Sequence, residues 1–165
     1  MKNGIVIADS GPIFSLAIID KLDVLTKLFD EIKIPQAVWE EITRDKSTVI
    51  YKQIFSFFQN KVCKIRGFND LSFIMDYGES ESLILLRELN ADFLLIDDKK
   101  ARKIAENFKI KCIGTIGLLS IALDKGFIDE LRPLFIKLLK NKRFYSLEIL
   151  NHILDKYQEQ KITKI

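Results

Sequence analysis

Short apolar runs alternate along this chain with stretches in which apolar residues recur every three or four positions. Residues 4–8 read Gly-Ile-Val-Ile-Ala, an apolar, β-branched run of the length of a buried strand, and it ends on Asp9 followed by Ser10-Gly11-Pro12. Pro12 falls in the first turn of the next helix, where its missing N–H costs nothing. Ile13, Leu16 and Ala17, then Leu22, Leu25, Leu28 and Phe29, form two short helical patterns separated near Asp20. Residues 31–34 read as a second strand, Pro35 opens a helix over 36–43, and 48–60 form an amphipathic helix rich in Phe. Residues 61–65 suit a short strand or edge segment, and 66–77 a loop closed by Gly78. A helix over 79–90, a strand over 93–96 ending on Asp97-Asp98, a basic helix over 99–108 and a strand over 110–113 follow. Gly114-Thr115 opens a helix to about residue 125, and helices over 129–141 and 146–158 complete the pattern.

Strands alternating with helices predict a three-layer α/β/α fold, a short, mainly parallel twisted sheet covered on both faces. Right-handed crossovers bring the carboxyl ends of the strands to one edge, where ligand sites of open α/β sheets form. Asp9 and Asp97 both belong to that edge. Residues 1–165 are expected to form one domain, with 129–165 a helical extension packed on it. The apolar residues of the last two helices, Leu138 and Leu150 among them, suit capping of the core, with a partner protein's helix or a second subunit as the other covers.

Helical phase chooses between neighbouring acids. Val38 and Ile42 mark the apolar face of helix 36–43; Glu41 shares it and Glu40 points away. Glu79 lies on the stripe of Leu83 and Leu86, whereas Glu81 and Glu88 are expected on the opposite, polar side. Of the doubled acids, Asp97 is expected to face the site and Asp98 to cap the next helix or support Asp97. Four acids converging at one place would repel one another, and a hard divalent cation, Mg²⁺ or Mn²⁺, relieves that repulsion. Such ions support phosphoryl chemistry without histidine or cysteine.

Composition narrows the field. With 48% hydrophobic and 30% charged residues the chain has a globular profile, and its two cysteines form no CxxC pattern and suit a reducing cytoplasm. The first apolar run is cut short by Asp9, so no signal peptide is visible, and no apolar stretch is long enough to span a membrane. The single histidine, His152, argues against a histidine-centred base or a His-rich metal site. The net charge of +3 is a mild pointer to a polyanion; more telling is the cluster Lys99, Lys100, Arg102, Lys103, Lys109 and Lys111 just after Asp97-Asp98. Lys99 and Arg102 are placed to hold phosphates, Arg by a bidentate fork and Lys as a point charge.

Taken in order, these pieces resemble the PIN-domain nucleases, including the VapC-like toxins of bacterial and archaeal toxin–antitoxin pairs. The resemblance rests on I-V-I-A-D-S-G-P-I at the start, I-P-Q-A-V-W-E-E-I around Glu41, and Y-G-E-S-E-S-L-I-L-L around Glu79. L-L-I-D-D-K-K-A-R at Asp97 and I-G-T-I-G-L-L complete the set. The likeness runs from residue 4 to about 126 and is greatest to a longer PIN subgroup carrying GE and LLIDD in these places. It implies a PIN-like fold and hydrolysis of single-stranded RNA by acids holding one or two Mg²⁺ or Mn²⁺ ions. Asp9, Glu41, Glu79 and Asp97 match the four acids, with Asp98 sharing the fourth position. Ser10 and Thr115 match small hydroxyl residues that line the pocket toward substrate. The family also implies a homodimer and, for a toxin, an antitoxin protein as partner. Glu79 stands where many relatives have Asp, and the extension from about residue 130 exceeds a minimal toxin. Two other readings remain: a non-catalytic PIN-like module binding RNA or protein, and another Mg²⁺-dependent α/β phosphohydrolase. A phosphatase with an Asp nucleophile usually carries Asp-x-Asp, but Ser10 and Gly11 follow Asp9 here.

Overall fold

The computed structural model describes residues 2–163. Five parallel strands, β1 (Ile5–Ala8), β2 (Glu31–Pro35), β3 (Val62–Cys63), β4 (Phe93–Leu95) and β5 (Cys112–Ile113), form one sheet in the order β3-β2-β1-β4-β5. Nine α-helices flank it among the described residues: α1 (Ser10–Ile18), α2 (Asp23–Leu28), α3 (Gln36–Ile42), α4 (Tyr51–Phe58), α5 (Tyr77–Leu89), α6 (Lys99–Asn107), α7 (Thr115–Asp124), α8 (Arg132–Lys140) and α9 (Leu147–Lys156). This is the three-layer α/β/α arrangement predicted from the alternation of runs. The break near Asp20 is real: Asp20 adopts a left-handed backbone (φ 58°) between α1 and α2.

Some element ends differ from the periodicity. Part of the predicted loop 66–77 coils into a short 3₁₀ turn at Asp70–Phe73, and α5 begins two residues before Glu79, with Asp76 as its N-cap. Helix α4 is shorter than 48–60, because residues 45–48 close a turn in which Asp45 accepts from the Ser47 amide and hydroxyl. Ser146 caps α9 by accepting from the Ile149 amide.

The sheet separates two apolar layers. On one face Val6, Ala8 and Leu95 pack with residues of α1, α2, α7, α8 and α9; on the other Ile7, Leu94 and Ile96 pack with α5 and α6. Phe135, Leu138, Leu150 and Leu154 are fully buried in the first of these layers, so α8 and α9 contribute to the core.

Glu81 corrects the expectation of a polar face on α5. It is 6% exposed, and its Oε2 accepts from the Ala37 amide at 2.9 Å. Helix α3 begins after Pro35, which has no side chain to cap it, so Glu81 supplies the acceptor its first turn lacks. Residues 80–86 of α5 are all buried, so that stretch has no solvated side. Glu88 is likewise occupied, accepting from the amides of Arg66 and Gly67.

Candidate active site

The strand order changes direction between β1 and β4, and the crevice beyond their carboxyl ends is where open α/β sheets bind ligands. Asp9 stands there as the residue preceding α1 and is 6% exposed. Its amide donates to the Leu95 carbonyl at 3.0 Å, tying the end of β1 to β4. The backbone at Asp9 is still extended (φ −84°, ψ 162°), so side-chain alternation carries on from Ile7 and turns Asp9 toward α5.

The same alternation separates the doubled acids. Asp97 continues the face of Leu95, away from α5. Its Oδ1 accepts from the Thr115 amide, and its Oδ2 from the Thr115 and Tyr145 hydroxyls, each at 2.7 Å. Three of a carboxylate's roughly four acceptor positions are thereby used. Asp98 continues the face of Ile96, toward α5 and α6. It caps α6 by accepting from the Ala101 amide at 2.8 Å and lines a cavity of about 360 Å³ together with Glu79 and Asp76.

Glu41 is half-buried on α3 and Glu40 is exposed, as helical phase predicted. A Cβ placed on Gly78 would lie 3.2 Å from Glu41 Oε2 and 3.8 Å from Asp9 Oδ1. Two carboxylates from different elements therefore approach beside Gly78, whose missing side chain leaves the space open. Glu79 follows in the first turn of α5.

Burial and repulsion load this cluster. Asp9 is pushed up to about 7, chiefly by burial and then by the charges of Glu79 and Glu41, while the amides of Ser10 and Gly11 oppose the rise. Glu79 is pushed up to about 7 by burial first, then by the charges of Asp98, Asp76 and Glu41. The structure thus brings together Asp9, Glu41, Glu79 and Asp98, and sets Asp97 on the other side of the β4 end.

The remaining predicted residues divide. Ser10 opens α1 beside Asp9 and is 8% exposed. Thr115 is fully buried, with its amide and hydroxyl both on Asp97, so it holds that carboxylate. Lys99 is exposed; Arg102 is half-buried, with Nε on Glu106 at 3.0 Å. Asp76 and Tyr145 escaped the sequence reading. Asp76 was findable as an N-cap acid just before Gly78-Glu79, whereas nothing local marks Tyr145.

The donors suit a hard cation in kind, being carboxylate oxygens alone. Among the described residues no three metal-ligating side chains are grouped closely enough to grip one ion.

A family model described as a PIN domain matches residues 5–159. No curated protein matches the chain. The matched span runs from the start of β1 past the end of α9 and includes every residue of the acidic cluster, so the chain belongs to the PIN-domain family, whose fold is nuclease-like.

Proposed function

We propose that this protein is a Mg²⁺- or Mn²⁺-dependent endoribonuclease cutting phosphodiester bonds of single-stranded RNA. The observation that carries the reading is the convergence of Asp9, Glu41 and Glu79 at the sheet's switch point, with burial and mutual repulsion raising Asp9 and Glu79 to about 7. A cluster that resists ionisation in this way is stabilised by a cation.

Asp9 and Glu41, whose carboxylates approach beside Gly78, would hold the ion, Glu79 would act on it through water, and Asp98 rather than Asp97 would be the fourth acid. When bound, such an ion polarises a phosphoryl oxygen and favours hydroxide near neutral pH. The chain supplies the rest. The Ser10 and Gly11 amides steady the charged form of Asp9. Lys99 and Arg102 offer positive charge to the RNA backbone at the start of α6. Thr115 and Tyr145 fix Asp97, and with it the end of β4.

The setting we infer is that of a toxin or toxin-like member of a type II toxin–antitoxin pair, a cytoplasmic homodimer inhibited by an antitoxin protein. Co-purification with the product of the adjacent gene tests the partner, and light scattering tests the dimer. The catalytic assignment is tested by Asp9→Asn, which is expected to abolish Mg²⁺- or Mn²⁺-dependent cleavage of single-stranded RNA; undiminished cleavage overturns it. A PIN-like module that binds RNA without cutting it is the second reading, favoured by the loose spacing of the acids. RNA binding by the wild-type chain with no metal-dependent turnover would establish that reading instead.

A further inference from the structure

A groove lies on the other side of Asp97 from the acidic cluster. It has a volume of about 600 Å³ and opens between the start of α6, β5, α7 and α9. Ile113, Ile116, Ile149 and Ile153 give it an apolar lining, while Lys99 and Arg102 stand together with Asp97 among its polar residues. Phe144 also lines it and is 94% exposed.

A lone exposed Phe in a connection needs no explanation by itself, but both neighbours of this one are clamped. Arg143 donates through Nη2 to the Gly11 carbonyl at 2.8 Å and through Nε to Ser15 Oγ at 2.9 Å. Tyr145 donates to Asp97 at 2.7 Å and shares a 2.7 Å hydrogen bond with Ser15, which is fully buried. Phe144 is therefore fixed on both sides by partly buried polar contacts. Its ring is offered to solvent by a backbone already ordered, which lowers the entropic cost of binding there.

We propose that this groove receives a nucleotide of single-stranded RNA flanking the cleaved bond, with Phe144 stacking on the base and Lys99 and Arg102 holding its phosphate. The proposal rests on the ribonuclease reading and extends it to substrate binding. An aromatic face beside paired cations is the combination by which proteins hold single strands, since every base has a face to stack. Continuity with the acids supplies the second support. Asp9 and Asp97 follow neighbouring strands, about 5 Å apart, so RNA whose phosphate lies at the acids passes over Asp97 into the groove. An apolar helix from a protein partner would fill the isoleucine lining but make no use of the exposed charge of Lys99.

The test is binding of a labelled single-stranded RNA of about ten nucleotides to the full chain, with EDTA present to prevent turnover. Phe144→Ala is expected to weaken binding about tenfold and Phe144→Trp to restore it. Neither substitution is expected to shift the melting temperature, because Phe144 is almost fully exposed. If the wild-type chain cleaves RNA in Mn²⁺ and Phe144→Ala binds RNA as tightly as wild type, the subsite is overturned and the nuclease reading stands. If the wild-type chain neither binds nor cleaves RNA, the nuclease reading falls and takes the subsite with it. Unchanged RNA affinity in Phe144→Ala, accompanied by loss of a co-purifying protein, assigns the groove to a protein and overturns the proposal.

Discussion

Asp9 costs the fold stability whenever it is ionised, and that cost has a definite sign. Burial and the neighbouring carboxylates raise Asp9 and Glu79 from ordinary values of 3.8 and 4.5 to about 7. Between those limits the native state holds more protons than the unfolded chain, so stability is highest below pH about 4 for these two groups and falls as pH rises toward about 7. This pair drives a loss of stability into the neutral range. Melting followed by circular dichroism without divalent cations is expected to give a lower midpoint at pH about 8 than at about 5.5. Asp9→Asn removes the buried charge and is expected to flatten that difference. Mg²⁺ or Mn²⁺ at pH about 8 is expected to raise the midpoint of wild type and to do so less for Asp9→Asn. An Asp9→Asn variant as pH-sensitive as wild type would show that Asp9 is not the group that resists charging.

Helix α5 shows where reading by pattern succeeds and where it stops. Glu41 was separable from Glu40 because α3 has one exposed side, so a single apolar stripe identifies the inward acid. The same reasoning placed Glu79 but failed for Glu81, because residues 80–86 are buried all round and an acid there must find a buried donor. That donor, the Ala37 amide, lies 44 residues away, and its need for a partner follows from Pro35 being unable to cap α3. The sides taken by Asp97 and Asp98 were not legible for a related reason. Alternation along β4 was legible, but which face meets α5 depends on how β4 registers against β1, where Ala8 pairs with Leu95. If Glu81 holds the start of α3, Glu81→Ala is expected to cost about 1–3 kcal/mol in chemical denaturation, for the lost bond and the orphaned amide. Glu40→Ala, at an exposed position of α3, is expected to cost less than about 0.5 kcal/mol. Equal costs would mean that Glu81 is merely buried and not a cap.

The two apolar layers are joined at the site edge by polar contacts reaching far along the sequence. Arg143, Ser15, Tyr145, Asp97 and Thr115 form one hydrogen-bonded run linking α1, β4, α7 and the connection between α8 and α9. Burial, and then the charge of Asp97, push the Tyr145 hydroxyl up to about 12, so it remains a donor to Asp97 throughout the neutral range. The extension is therefore held twice over, by Phe135, Leu138, Leu150 and Leu154 in the core and by Tyr145 at the site edge. These two ties predict different behaviour. A chain ending at residue 141 would strip α9 from the first layer and leave buried apolar surface bare, so it is expected to be insoluble or unfolded. Tyr145→Phe keeps the ring and removes only the hydroxyl, leaving Asp97 with two donors and Ser15 without one partner. It is expected to cost about 1–3 kcal/mol in denaturant unfolding, with faster amide exchange across residues 141–147. Phe144→Ala, one residue away but packed on nothing, is expected to leave both measurements unchanged. If Tyr145→Phe is as silent as Phe144→Ala, the apolar contacts of α8 and α9 alone hold the extension, and the connection that presents Phe144 is not pinned from the Asp97 side.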